Sequence, residues 1–203
     1  MEFLELIDRE ILLAINGFHS PTFDFIFYNI SQTRTGLPLY AFIIIYLFKK
    51  LHTARAMQYF IVLILSVALA DLGSVHLFKN VVERYRPSHN LEIEHMLHYV
   101  NDYQGGMYGF ISSHAANLFA LATMIYLIFK KHWLTKLVFI WACLGSYSRM
   151  YLGVHYPSDI IVGALFGSGV AYALHRFYFV NLVSPSTVYS SKIENENTKQ
   201  VEK

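Results

Sequence analysis

The sequence predicts an all-α protein, an integral membrane helical bundle of five to six transmembrane helices, and three observations carry that prediction. Of its 203 residues, 55% are hydrophobic and 15% charged. An average soluble domain carries roughly 25% charge and needs it to cover its surface. Apolar segments follow one another at about 22–31, 37–48, 57–78, 115–129, 133–147 and 160–179. Lysine and arginine gather in alternate connections. The same composition excludes a disordered chain. A net charge of +2 excludes a nucleic-acid partner held by a basic patch. With Cys143 as its one cysteine, the chain has no internal disulfide and no cysteine-ligated metal cluster.

Residues 3–16 carry Phe3, Leu6, Ile7, Ile11, Leu13 and Ala14 at helical spacings, while Asp8, Arg9 and Glu10 make the segment too polar to span. They are read as an interfacial amphipathic helix. The acidic start, without a basic n-region, places it in the mature protein. Gly17-Phe18-His19-Ser20-Pro21 ends that helix. Segments 22–31 and 37–48 are each too short to span and read as a broken pair around Thr33-Arg34-Thr35-Gly36. Several strict apolar runs are only about 14 or 15 residues long, against the roughly 20 a span requires. Their recurrence in one low-charge chain, with polar extensions at a common end, outweighs that objection. Gly163, Gly167 and Ala171 give the last helix a small-residue face for close packing. Residues 1–183 form the membrane-embedded domain, and 184–203 read as a polar, disordered cytoplasmic tail.

Orientation follows from the basic residues. Lys49, Lys50, Arg55, Lys130, Lys131, Lys136 and Arg176 mark one side as cytoplasmic. The 80–111 loop, with Glu83, Glu92, Glu94 and Asp102, belongs outside. Helix parity then brings three distant segments to the outer face. Lys79 and Arg86 lie seven residues apart, nearly two helical turns, so both should point the same way before Pro87 stops the run. Two cations there suit an anion, the guanidinium gripping it bidentately. Taken alone, the pair is better explained by snorkelling at the membrane edge. Ser112-Ser113-His114 opens a helix, where a serine caps and free N–H groups favour an anion. In Ser148 to Asp159, Pro157 is placed as the first residue of a helix. His155 then falls just before that helix and Asp159 in its first turn. That spacing lets a carboxylate accept one imidazole N–H and leaves the other nitrogen nucleophilic.

These segments resemble the three signature motifs of the type-2 phosphatidic acid phosphatase superfamily. KxxxxxxRP is present as Lys79 to Arg86-Pro87, and SRxxxxxHxxxD as Ser148-Arg149 to His155 to Asp159. PSGH is altered to Ile111-Ser112-Ser113-His114, with Ile111 replacing proline and Ser113 replacing glycine. The resemblance covers most of the chain and implies an acid phosphatase/vanadium haloperoxidase-like helical core. It implies a metal-independent lipid phosphatase without cofactors. His155 would attack phosphorus and form a phosphohistidine, held by Asp159. His114 would protonate the leaving group and then activate water. Lys79, Arg86 and Arg149, with Ser112, Ser113 and backbone N–H groups, would hold the phosphate oxygens. The substrate implied is a membrane lipid phosphate: undecaprenyl pyrophosphate, a lipid A phosphate, phosphatidylglycerol phosphate or phosphatidic acid. The implied place is a bacterial inner membrane, with the site facing the periplasm.

Two other readings have a basis in the residues. His89, Glu92, Glu94, His95 and His98 crowd the outer loop, without a recognised ligand spacing; a loop lining the substrate entrance accounts for them better than a metal site. Asp71 and His76 lie inside a span, where ionisable groups suggest a transporter or proton-coupled carrier. No inverted repeat accompanies them, and a hydrogen bond within the bundle accounts for Asp71 more simply.

Overall fold

The computed structural model describes residues 2–130 and 132–183; Lys131 and the 184–203 tail lie outside them. Helix follows helix along the chain. The order is α1 (Glu2–Gly17), α2 (Pro21–Ser31), α3 (Thr33–Lys50) and α4 (Thr53–Gly73). A π-helical turn (Ser74–Lys79) then runs on into the single turn α5 (Asn80–Val82). After a long loop come α6 (Ser113–Phe129), α7 (Trp133–Tyr151), α8 (Pro157–His175) and a second π-helical segment (Arg176–Val183). Among the described residues there is no strand, only an isolated bridge between Tyr85 and Tyr108.

Two continuous helices are long and apolar enough to cross a membrane, Thr53–Val82 with 30 residues and Pro157–Phe179 with 23. Helix α6 is apolar but has 17 residues, about 26 Å of rise. The other long helices include charges: Arg34, Lys49 and Lys50 in α3, Lys136 and Arg149 in α7. By length and hydropathy two helices among the described residues qualify as spans, which leaves the expected five to six unconfirmed.

Helix α6 sits at the centre, packed by α4, α7 and α8. Its Ala115, Ala116, Ala120 and Ala122 are fully buried. Helix α8 approaches it closely because its contact face lacks side chains. A Cβ on Gly163 would lie 2.6 Å from the Ser112 carbonyl oxygen, and one on Gly167 would collide with the Ala116 carbonyl. This is the small-residue face read from the sequence, and close backbone approach is its physical use. At the end remote from the motifs, aromatic residues close the bundle. Tyr46 meets Phe129, His132 and Trp133 there, and Tyr59 stacks on Phe179.

The N-terminal region differs from expectation in two places. The break between α2 and α3 is the single extended residue Gln32, while Thr33 to Gly36 open α3. The Thr35 hydroxyl donates to the Asn29 carbonyl and ties the two helix ends together at 2.6 Å. Helix α1 does leave an apolar stripe exposed through Leu4, Ile7 and Ile11, as an interfacial helix should. Its opposite face is bound to the protein. Leu12, Asn16 and Asp8 are buried, and Asn16 donates to the carbonyls of Tyr151 and His98. Asp8, one of the three charges that make the segment too polar to span, is a tertiary contact.

Candidate active site

The third motif forms where α7 turns into α8. Gly153 makes that turn with φ of +68°, a conformation that costs glycine little and other residues more. Pro157 is the first residue of α8, as its fixed φ favours. His155 is 1% exposed and Asp159 fully buried. Asp159 Oδ2 accepts the backbone N–H of Tyr156 at 2.9 Å and faces His155 Nδ1 at 3.4 Å. On its other side, His155 Nε2 lies 2.9 Å from an Arg86 guanidinium nitrogen. A guanidinium only donates, so Nε2 must offer its lone pair and the ring proton sits on Nδ1, toward Asp159. Burial first, and then the cations Arg86, Arg149 and Lys79 with His114, hold the imidazole well below its ordinary range. His155 is therefore a neutral imidazole whose available lone pair points at a cation.

The first motif reaches the same place by a route the sequence did not indicate. The helix does not carry Lys79 and Arg86 around two turns together. It ends at Val82, because Glu83 adopts a left-handed conformation with φ of 50° and Arg86 is extended before Pro87. Arg86 is 8% exposed, so it does not snorkel. It donates to the carbonyls of Tyr108 and Val154 as well as approaching His155. Burial and then Arg149 lower it to about 10, which leaves it charged at neutral pH.

The second motif opens α6. Ser112 is its N-cap and accepts from the Ala115 N–H. The Ser112 N–H is bound to the Asp159 carbonyl at 3.0 Å, which joins the second and third motifs. Ser113, at the family's glycine position, accepts from Lys79 Nζ at 2.6 Å and from the Ser74 hydroxyl at 2.6 Å. The added hydroxyl thus becomes an anchor for the lysine. His114 follows, half-buried against α7, where a Cβ on Gly145 would lie 3.4 Å from its Nε2. Arg149 is 7% exposed; its guanidinium donates to Tyr103 at 2.8 Å and to Ser31, and its Nε is buried without a partner among the described residues.

Arg84 and Asp8 are the residues sequence reasoning missed. Arg84 donates to Asp159 Oδ1 at 3.0 Å and to Asp8 Oδ2 at 2.8 Å, and its guanidinium lies 4.0 Å from the Tyr156 ring centroid. Asp8 in turn accepts from the backbone N–H and hydroxyl of Ser158. Burial opposes the charge of Arg84, but Asp159 and Asp8 more than offset it and hold the guanidinium above its ordinary range. The chain Asp8–Arg84–Asp159–His155 links α1 to the imidazole. The sequence signal was an unexplained arginine two residues before Arg86; nothing local set Asp8 apart from the other carboxylates of α1.

The acidic and histidine-rich loop disperses. His98 is paired with Asp24 at 3.0 Å and stacks on His19, while Glu92 faces Arg9 at 3.5 Å. His89 and Glu92 line an outer cleft of about 900 Å³ with Arg84 and Tyr156. Asp71 accepts a hydrogen bond from Asn117 at 2.8 Å, within the bundle as anticipated.

One buried imidazole, its carboxylate, a second histidine and three cations from three distant segments, on an all-helical fold, suit a class, the membrane phosphatases. Comparison with known proteins gives the particular family: residues 55–182 match the model of the PAP2 superfamily, and the chain belongs to it. The lipid A 4'-phosphatase of Bacteroides thetaiotaomicron is 37% identical over 181 residues, covering 89% of this chain and 79% of that protein. The lipid A 4'-phosphatase of Porphyromonas gingivalis is 34% identical over 178 residues, covering 88% and 75%. The fold matches the crystal structure of a transmembrane PAP2-type phosphatidylglycerolphosphate phosphatase from Bacillus subtilis. The TM-score is 0.67 at 20% identity, with 87% of each chain covered. The chain is a lipid phosphatase of this superfamily.

Proposed function

We propose that the protein removes a phosphate from the sugar headgroup of a lipid A-type glycolipid, through a phosphohistidine on His155. The observation that carries the mechanism is the geometry of His155, with Nε2 2.9 Å from the Arg86 guanidinium and Nδ1 turned to Asp159. The similarity to two lipid A 4'-phosphatases supports the substrate.

In the first step His155 Nε2 forms a bond to phosphorus as the ester P–O bond breaks, and the leaving oxygen takes a proton from His114. Asp159 stabilises the charge on the imidazole. In the second step water attacks phosphorus, His114 takes its proton, and the P–N bond breaks to release phosphate. Lys79, Arg86 and Arg149, with Ser112, Ser113 and the N–H groups opening α6, neutralise the equatorial oxygens. Such positioning and charge stabilisation are the main demands of phosphoryl transfer. Three protein cations meet that demand without a metal or other cofactor. The site would face the periplasmic side of a bacterial inner membrane, with the lipid chains remaining in the bilayer.

Phosphate release by the purified protein tests this on lipid A, undecaprenyl pyrophosphate, phosphatidylglycerol phosphate and phosphatidic acid, each with and without EDTA. Preference for lipid A, insensitivity to chelation and loss of turnover in a folded His155→Ala variant are expected. Turnover near wild type in that variant would overturn the mechanism. Loss on chelation, restored by zinc or magnesium, would overturn metal independence.

A further inference from the structure

A polar pair beside the phosphate site leaves one buried acceptor unfilled among the described residues. Asn117 lies one turn after His114 on α6, on the same face, and Asp71 faces it from α4. Both line, with His114, a cavity of about 530 Å³ between the helices, a size typical of small-molecule sites. Its remaining walls are mostly aliphatic, with Tyr40 and Trp141 among them. A carboxylate only accepts, so the Asn117 amide nitrogen must face Asp71 Oδ1, as the 2.8 Å contact shows. That fixes the amide orientation and leaves Asn117 Oδ1 buried with no partner among the described residues. Asp71 itself is exposed. A buried, unpartnered acceptor at one end of a largely apolar cavity, with an open carboxylate beside it, calls for a donor from a ligand.

The side of the substrate that reaches them follows from the chemistry. No lysine or arginine lines the cavity, so it does not hold the phosphate, which belongs with Lys79, Arg86 and Arg149. His114 is the group that protonates the leaving oxygen, so the alcohol side of the ester lies at His114. Asn117 and Asp71 are one turn further along. We propose that Asp71 and Asn117 form a headgroup subsite, taking a hydroxyl or amide N–H that the phosphorylated headgroup carries near the phosphoester. This deepens the functional reading above and rests on its assignment of His114.

The test is a ratio. kcat/KM is measured for a lipid A phosphate, whose phosphorylated sugar carries such donors, and for two donor-free references, phosphatidic acid and p-nitrophenyl phosphate. The Asp71→Ala and Asn117→Ala variants should lower the ratio of lipid A to reference turnover about tenfold, chiefly through KM. Asp71→Asn keeps an acceptor and should restore most of it. Thr123→Ala, which removes a hydrogen bond between α6 and α8 away from the site, is the control for general packing damage. A ratio unchanged in both alanine variants, whether their rates fall together or not at all, would overturn the subsite. If the wild type leaves lipid A intact, the lipid A assignment fails by itself. The same ratio is then taken with phosphatidylglycerol phosphate, which carries a free hydroxyl beside its phosphoester, and a fall there upholds the subsite.

Discussion

Replacing Arg84 with glutamine should damage both stability and turnover, because this one guanidinium holds two carboxylates. It lies 3.0 Å from Asp159 Oδ1 and 2.8 Å from Asp8 Oδ2. Asp159 has no exposed side-chain surface, while Arg84 keeps 23% of its own. Breaking a buried pair by removing one partner costs roughly 3–5 kcal/mol. Solvent reaching Arg84 reduces that to about 2–3 kcal/mol. The contact between Asp159 and His155 is already long at 3.4 Å, so a carboxylate released on its other side loses its aim. Removing an outer partner that orients an imidazole system typically costs about 10–100-fold, here in kcat/KM. The assay pairs thermal unfolding in detergent with phosphate release normalised to folded protein. Arg84→Lys should recover part of the loss, since an ammonium cannot fork to both carboxylates. Asp8→Asn should be milder than either. A folded Arg84→Gln protein with wild-type kcat/KM would refute the idea that the Asp8–Arg84–Asp159 chain positions the nucleophile.

Four further outcomes follow from the same geometry. His155 is held neutral in the fold, so the unfolded chain binds an extra proton below its ordinary value of about 6.5 and stability falls as pH drops through that value. Between pH 7.5 and 5.5 this residue should account for a loss of about 1.4 kcal/mol, which His155→Gln should remove from the melting curve; an unchanged pH dependence would refute it. Ser113→Gly should keep most of its activity, because glycine restores the close backbone approach to phosphate, while Ser113→Val, whose stiff β-branched side chain crowds the phosphate, should lose most of it; both lose the Lys79 and Ser74 contacts, so equal kcat/KM in the two variants would contradict this. Gly167→Leu should push α8 off the Ala116 carbonyl and cost about 1–3 kcal/mol or more in a thermal melt, and a wild-type melting temperature would show that the helices do not need the contact. In a Cys143→Ser background, single cysteines at Glu92 and Lys50 should differ in labelling by an impermeant thiol reagent from outside intact cells, Glu92 reacting and Lys50 protected; equal or reversed labelling would reject the orientation.

Local chemistry in the sequence was sufficient for the segments that act within a few residues of themselves. Pro157 opens α8, Ser112 caps α6, and His155 and Asp159 stand on either side of a helix start, because these features depend on backbone dihedrals and nearby N–H groups. The small-residue face of α8 was legible for a related reason, since the absence of side chains at Gly163 and Gly167 is itself the contact. Lys79 and Arg86 show where this reasoning stops. Their spacing implied two turns of continuous helix, but the chain leaves the helix at Glu83. What brings Arg86 to His155 is the fold of the 83–111 loop over α7 and α8, anchored by the Tyr108 and Val154 carbonyls.

Other parts of the site were decided by tertiary structure alone. Asp8 and Arg84 lie 76 residues apart, and Arg84 and Asp159 lie 75 apart. No local periodicity connects such positions, so one carboxylate among several on an amphipathic helix and a spare arginine in a loop have no visible relation until the helices pack. The same holds for Asn117, whose orphaned carbonyl is set by the approach of α4. Sequence determined which groups could carry phosphoryl chemistry, because residue type fixes charge, donor capacity and nucleophilicity. Tertiary structure decided which of them share an environment, because burial and hydrogen-bond geometry arise only when distant helices exclude water between them.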